Sequence, residues 1–198
     1  MAYISSSDVT RSVATALQYI SYYHPSDFIQ AMHEAYLREQ SPAARDAIAQ
    51  ILINSRMCAT GHRPICQDTG IVTVFVKVGM GVRWENPVID LDDLINEGVR
   101  QAYALPENVL RASIVSDPAG ARSNTKDNTP AIIHYALVPG SELSFDVAAK
   151  GGWVREQGQD GHAQPFRLHC GMGVKDSAHN GCRVVPSRNA WHWYWRYR

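Results

Sequence analysis

Four chemically active side chains follow one another in the segment Arg63-Pro64-Ile65-Cys66-Gln67-Asp68-Thr69-Gly70. They are a thiol, a primary amide, a carboxylate and a hydroxyl. The proline fixes one backbone angle, and the glycine permits an angle that other residues resist. Polar groups presented on a short turn beside a strand are typical of ligand sites. The same residues also suit an ordinary turn in which the cysteine packs as a small hydrophobe.

A second candidate is Arg111, which opens an apolar stretch predicted to be a strand over 111–116. A charged side chain is costly there unless it is paired or lies at the exposed strand end. A guanidinium in such a position can bind a carboxylate through two parallel hydrogen bonds, a geometry that lysine does not offer. Arg111 is therefore a candidate for binding an acidic substrate.

The loop resembles the cluster-binding segment of the class I fumarases, iron–sulfur hydro-lyases, and of relatives such as L-tartrate dehydratase alpha subunits. Further segments carry the same resemblance in the expected order. They are residues 22–25, 38–44, 54–56, 110–115, 124–131 and 149–152. The resemblance therefore covers roughly the first three quarters of the chain and stops after Gly152.

The resemblance implies a [4Fe-4S] cluster held by three thiolates, with fumarate hydrated reversibly to L-malate at its open iron. By this resemblance Cys66 is the first cluster ligand and Gln67 binds a substrate carboxylate. Asp68 takes an acid/base or substrate-orienting role, and Arg111 contacts the substrate. Small dicarboxylates are the implied partners.

One thiolate cannot hold a four-iron cluster, and the family's other two cysteines lie downstream of its Lys-Gly-Gly segment. Cys170 and Cys182 match neither of them, so we do not assign them as ligands. We therefore expect a truncated chain, completed in the family by a C-terminal domain or a separate beta subunit, within a homodimer. Loss of that partner surface predicts poor solubility.

Length, charge and cysteine spacing limit the classes of protein to which this chain can belong. A chain of 198 residues is long enough for one domain, and its formal charge is balanced, which does not favour nucleic acid or a membrane surface. It has no apolar run of membrane-spanning length and no secretory pattern at its start, so we expect a cytoplasmic protein. Its four cysteines have neither zinc-type spacing nor a disulfide context. Cys58 is predicted to pack in the core, and His24 and His33 are predicted to be surface or capping groups.

The composition changes after residue 152. Residues 1–152 hold 16 acidic and 12 basic side chains, whereas 153–198 hold 3 and 7, together with four of the five Trp and no Ile. Where the family continues Gly-Ser-Glu-Asn-Lys, this chain has Trp153-Val154-Arg155-Glu156-Gln157. A one-base shift of codons for Glu-Asn-Lys yields Arg-Glu-Gln, so we predict a domain over 1–152 and an out-of-frame tail over 153–198. The alternative is a genuine aromatic, basic tail that docks on the domain or binds a partner.

Three helices are predicted before the loop, starting at Asp8, Ser26 and Ser41-Pro42. The third carries an expected buried stripe of Ala47, Ile48, Ile51 and Leu52. These helices must position the loop from its N-terminal side.

After the loop, the β-branched run 71–78 predicts a strand covered on one face, and Asp90 caps a helix over the following residues. Further strands are predicted at 111–116, 131–138 and 143–149, and the polar segment 123–129 reads as a solvated loop that the resemblance places near the site. The predicted fold is α+β: N-terminal helices, then a mixed sheet with a crossing helix, and 46 irregular C-terminal residues.

Three other functions remain open from the sequence. The chain can be an L-tartrate dehydratase alpha subunit, since an amide and a guanidinium suit any small diacid. It can be a non-catalytic remnant of a fumarase gene. It can also be a thiol-redox protein that uses Cys66, although the loop has no second cysteine nearby.

Overall fold

The computed structural model describes residues 3–86, 90–150, 167–172, 183–184 and 192–197. The helices are α1 (Ser6–Tyr22), α2 (Ser26–Arg38), α3 (Pro42–Gly61) and α4 (Leu91–Ala104). The strands are β1 (Ile71–Gly79), β2 (Val115–Ser116), β3 (Ser123–Asn124), β4 (Ile132–Val138), β5 (Leu143–Lys150), β6 (Arg167–Met172), β7 (Arg183–Val184) and β8 (His192–Tyr197).

The start of α1 corrects one predicted cap. Ser5, not Asp8, is the N-cap residue, and its hydroxyl accepts the Asp8 N–H at 3.2 Å. Asp8 instead lies in the first turn, where a carboxylate interacts favourably with the helix dipole. The second helix begins at Ser26 with Pro25 in the cap position, so Ser26 is its first residue and not its cap.

The other two helix starts follow the prediction. Ser41 precedes α3, with Pro42 at the first helical position, where the missing proline N–H costs nothing. Asp90 caps α4, and its carboxylate accepts the Asp92 N–H at 2.8 Å.

A mixed sheet follows the three helices, with strand order β4-β1-β5-β6-β8-β7. β1 pairs with β4 in parallel and with β5 in antiparallel fashion, so Val74 lies between Ile133 and Val147. α4 follows β1 in the chain and precedes the remaining strands. The α+β prediction is therefore confirmed.

The C-terminal prediction needs a correction. The sheet includes β6, β7 and β8, so irregular structure is the wrong prediction for those residues. β6 continues the sheet antiparallel to β5, and β8 runs parallel to β6. The remaining residues of 153–198 lie outside the described part of the chain.

The core lies between the sheet and the helices α1 and α4. Alternate valines of β1 (Val72, Val74 and Val76) are at most 1% exposed and face this core, as the strand's alternation predicts. Burying each valine contributes about 1.5–3 kcal/mol. The other large side chains in the cluster include Val9, Val13, Leu17, Ile95, Val99, Leu143, Phe145 and Val147.

The stripe predicted on α3 is wrong in part. Ala47 and Ile51 are exposed, while Ile48 and Leu52 are only half-buried. α3 packs mainly against α2 and not against the sheet, so apolar spacing alone did not determine its burial. No helix in the described part of the chain is long and apolar enough to cross a membrane.

The predicted strand over 111–116 is much shorter than expected. Only Val115–Ser116 forms a ladder, with Ser123–Asn124. The amides of Ser113 and Ile114 instead bond to the side chain of Asn128, so this stretch has no strand partner there.

Candidate functional site

The segment that contains Cys66 is held at its N-terminal end by α1 and α3. The Ile65 N–H donates to the carbonyl of Ser21 at 2.8 Å, and the Asn54 amide donates to the Ile65 carbonyl at 3.3 Å. The Cys58 thiol lies 3.6 Å from the carbonyl oxygen of Pro64. Two helices therefore fix where the loop begins.

Different elements hold the C-terminal end of the same loop. The Thr69 hydroxyl donates to the Arg111 carbonyl and lies 3.3 Å from the Ser113 hydroxyl. The Asn128 amide donates to the Gly70 carbonyl at 3.0 Å. Gly70 has φ 66°, a left-handed backbone that glycine adopts without strain. The loop is thus fixed at both ends.

Between these anchors, Cys66, Gln67 and Asp68 are all exposed. Cys66 is a free thiol, and the backbone N–H of Asp68 donates to its sulfur at 3.4 Å. A fixed loop that leaves three adjacent reactive groups accessible can bind a ligand without first having to order itself. The alternative of an ordinary turn with a packed cysteine does not describe Cys66.

A cavity of about 170 Å³ opens beside Cys66 and Asp68. Its lining includes the buried Tyr103, whose hydroxyl donates to the Thr69 carbonyl at 3.5 Å. Burial raises the pKa of Tyr103 to about 12. This phenol therefore stays protonated near neutral pH, and its single proton is directed at the Thr69 carbonyl. The remaining lining residues are Leu17, Ile20, Ser21, Tyr23, His24, Ile65, Leu110 and Ala149.

His24 belongs to the same cavity wall. Its Nδ1 lies 3.0 Å from the Ser55 hydroxyl, and its ring stacks on Phe28 with centroids 4.6 Å apart. Burial lowers the pKa of His24, so the imidazole is neutral at pH 7. The prediction of a surface or capping histidine is wrong, because the ring is half-buried against the cavity.

The predicted site residues are not all in one cavity. Gln67 lines a second, larger cleft of about 840 Å³ together with Arg56, Arg63 and Glu107, among others. Arg111 lines neither of these two spaces; its side chain is exposed, and its backbone carbonyl contacts the loop through Thr69. The structure thus places Cys66 and Asp68 at one cavity and Gln67 at a second cleft, while Arg111 is linked to the loop only through its backbone carbonyl.

The two cysteines of this region are in different environments. Cys58 is 5% exposed, and its thiol lies 3.6 Å from the Asn54 side-chain oxygen. Burial raises the pKa of the Cys58 thiol, which disfavours a thiolate. The prediction that Cys58 packs in the core is confirmed, and Cys66 remains the accessible thiol.

The burial of Asn128 was not predicted from the sequence. Residues 123–129 were predicted to form a solvated loop, and Ser123 and Asn124 are indeed exposed, but Asn128 is completely buried. A clue was available in the residue type, because asparagine tolerates the left-handed backbone found there, φ 60°. Nothing in the pattern of the segment indicates that the amide faces inward.

The sequence model of the Fumerase family, described as fumarate hydratase, matches residues 10–159 of this chain. The chain belongs to the fumarate hydratase family. The match includes the cysteine loop, the Arg111 segment and Asn128. The resemblance drawn from the loop and its companion motifs is therefore confirmed.

Several curated relatives of this fumarate hydratase family member have names of hydro-lyases. A Methanocaldococcus jannaschii protein, provisionally named an L(+)-tartrate dehydratase alpha subunit, is 32% identical over 54% of this chain and 35% of its own length. The anaerobic class I fumarate hydratase of Escherichia coli K12 is 33% identical over 52% of this chain and 18% of its own. An L(+)-tartrate dehydratase alpha subunit of Escherichia coli UTI89 is 23% identical over 89% of this chain and 59% of its own length. The chain spans less than two thirds of each of them.

Metal-binding capacity is limited within this part of the family fold. Among the residues that the structure describes, no group of three His, Cys, Asp or Glu side chains could hold a metal ion. Of the two cysteines whose side chains are described, only Cys66 is exposed enough to serve as a ligand. Within the described residues, Cys66 is therefore an accessible thiol without two further metal-ligating side chains beside it.

Proposed function

We propose that this chain supplies the substrate-facing loop of an iron–sulfur hydro-lyase that interconverts fumarate and L-malate. One observation carries the proposal: Cys66, Gln67 and Asp68 are exposed side by side on a loop anchored at both ends, in a member of the fumarate hydratase family. Thiol, amide and carboxylate are the groups that such chemistry requires.

Cys66 is the proposed ligand of a [4Fe-4S] cluster, with the other thiolates coming from outside the described residues. Thiolates are the usual protein ligands of such clusters. When bound, such a cluster would supply a Lewis acid for the substrate hydroxyl. Cys58 does not suit this role, because it is buried and in contact with the Pro64 carbonyl.

The chain's own residues would bind the diacid and move a proton. Gln67 presents a donor and an acceptor to one carboxylate, and Arg111 offers a charged fork to the other. Hydration adds hydroxide to one alkene carbon and a proton to its neighbour. Asp68 is the proposed group that gives this proton, and that removes it again when malate loses water.

A second candidate is an L(+)-tartrate dehydratase alpha subunit that works with a beta subunit. The observation in its favour is that the alignment covering most of this chain is with a protein of that name. Gln67, Asp68 and Arg111 suit either diacid, because both substrates present two carboxylates at similar separation.

Substrate assays on a completed enzyme test the proposal. Residues 1–152 would be fused to the part of the Escherichia coli class I fumarate hydratase that follows its matching region, and the protein reconstituted anaerobically with iron and sulfide. We expect hydration of fumarate and little dehydration of L-tartrate. Turnover of tartrate alone would support the second candidate, and turnover of neither substrate by a folded, cluster-bearing fusion would contradict both.

We also propose that the family domain covers residues 1–152 and that 153–198 are an out-of-frame translation. The support is the change in composition at this point and the shifted-codon relation to Glu-Asn-Lys. The family match itself continues past this boundary, to residue 159. Resequencing the DNA around codon 153 tests this: the expected result is a reading frame that continues Gly-Ser-Glu-Asn-Lys, and independently confirmed bases without one would contradict it.

A further inference from the structure

The side chain of Asn128 makes three hydrogen bonds in a fully buried position. Its Oδ1 accepts from the backbone N–H groups of Ser113 at 2.7 Å and Ile114 at 3.2 Å. Its Nδ2 donates to the carbonyl of Gly70 at 3.0 Å. The residue is 0% exposed, so each of these bonds replaces contact with water that is otherwise lost.

These three bonds join the two segments that carry the proposed substrate groups. Gly70 ends the loop that presents Cys66 and Asp68, while Ser113 follows shortly after Arg111. Neither segment forms a strand at these positions, so no sheet ladder fixes their separation. The Thr69 hydroxyl adds a second link, to the Arg111 carbonyl.

Only an amide of this length satisfies all three partners. Asn128 must accept at one end and donate at the other, whereas a carboxylate is acceptor-only when ionised. An aspartate would keep the bonds from Ser113 and Ile114 and turn a negative charge toward the Gly70 carbonyl. The left-handed backbone at this position further favours asparagine or glycine.

We propose that Asn128 is a positioning residue that sets the separation between the Cys66–Asp68 loop and the Arg111 segment. Its side chain is 0% exposed, so it acts through its bonds to the two backbone segments. On the proposed function, it would thereby match the spacing of Asp68 and Arg111 to a small dicarboxylate. A role confined to its own turn would leave the centre of the cysteine loop unaffected.

Amide hydrogen exchange on the full chain distinguishes these two roles without any need for activity. Asn128→Gly removes the side chain and retains a residue suited to φ 60°. The amides of Ile65 and Asp68 are the reporters, because they donate to the Ser21 carbonyl and to the Cys66 sulfur and Asn128 contacts neither. We expect them to exchange at least about tenfold faster, because loss of the anchor increases local opening. The core amides of β1 should remain unchanged.

Asn124 provides a matched control in the same loop. Its amide donates to the Ala112 carbonyl at 2.8 Å, and its oxygen accepts from the Lys126 N–H at 2.6 Å, without contact to residues 66–70. Asn124→Ala should therefore leave the exchange of Ile65 and Asp68 unchanged. If Asn128→Gly does not fold, Asn128→Asp replaces it, and we expect it to accelerate the loop amides by a smaller factor.

The positioning role is overturned if Asn128→Gly loses protection at Ser113 and Ile114 while Ile65 and Asp68 exchange at the wild-type rate. It is also overturned if Asn124→Ala accelerates the loop as much. A second readout uses the fusion enzyme: Asn128→Gly should lower kcat/KM by about 10- to 100-fold at unchanged iron content. An inactive fusion with Asn128 in place would count against the proposed function, while the exchange result would still decide the positioning role.

Discussion

Replacing Asn108 by alanine tests how the helices beneath the cysteine loop are joined. Asn108 donates to the Gln18 side-chain oxygen at 2.7 Å and to the Ser21 hydroxyl at 3.2 Å. Gln18 returns a bond to the Asn108 carbonyl at 3.1 Å and donates to the Ala102 carbonyl. This buried pair therefore connects α1, the end of α4 and the turn after it.

The expected cost comes mainly from the partner that is left behind. In Asn108→Ala the oxygen of Gln18, a residue only 7% exposed, loses its donor. A buried polar group without a partner costs about 1–3 kcal/mol, and the lost bond to Ser21 adds up to about 1 kcal/mol. We expect a total near 2–3 kcal/mol, which lowers the Tm of a chain of this size by roughly 5–10 °C.

Thermal and urea unfolding followed by circular dichroism measure this change. Asn54→Ala is the control: it makes the same chemical change at an exposed residue, whose amide donates to Ile65 at 3.3 Å and whose oxygen lies 3.6 Å from the Cys58 thiol. Because both contacts are long and the residue is exposed, the change should cost less than about 1 kcal/mol. In a double-mutant cycle, Gln18→Met combined with Asn108→Ala should cost at least about 1 kcal/mol less than the sum of the single changes. Additive costs, or an Asn108→Ala variant as stable as wild type, would refute the reasoning.

Two further predictions concern the core and the cavity. Gly98→Ala should destabilise the chain by about 1–3 kcal/mol, because the new Cβ would lie 2.6 Å from the Thr10 carbonyl oxygen. This clash outweighs the better helix propensity of alanine. Gly61→Ala is the neutral control, since its Cβ would have no atom nearer than 3.8 Å, and equal stability of the two variants would contradict the packing. Burial lowers the pKa of His24 from its ordinary value of 6.5. As the pH falls through 6.5, His24 therefore gains a proton in the unfolded chain before it does so in the native chain. The native state loses stability as a result. Urea unfolding at pH 7 and at about pH 5.5 should show a smaller loss for His24→Gln than for wild type, and identical losses would argue against a buried neutral imidazole.

Local sequence signals predict those parts of the fold that depend on short-range physics. The Asp90 cap and the strand over 71–78 follow from a capping side chain and from alternating β-branched residues, and both are present. The predicted burial of the α3 stripe is wrong in part, because helical spacing indicates an apolar face but not which element packs against it. Ile51 is 43% exposed, since α3 packs mainly on α2.

The candidate site likewise contains residues that local sequence predicts and one that it does not. Residue types alone make Cys66, Gln67 and Asp68 candidates for a ligand site, because polar groups on a short turn beside a strand are typical of such sites. Asn128 gives no such signal, since one small polar residue in a polar loop has no periodicity. Its burial depends on Gly70 and Ser113, which are distant along the chain, and only the folded structure brings the three together.

The most direct test of the account compares two cysteine variants in the reconstituted fusion enzyme. Cys66→Ser removes the exposed thiol, and Cys58→Ser removes the buried one by the same chemical change. Iron and acid-labile sulfide content, visible absorption and fumarate hydration would be measured for each. We predict that Cys58→Ser keeps the cluster and its turnover, whereas Cys66→Ser loses both. A Cys66→Ser enzyme with full iron content and wild-type turnover would contradict the account.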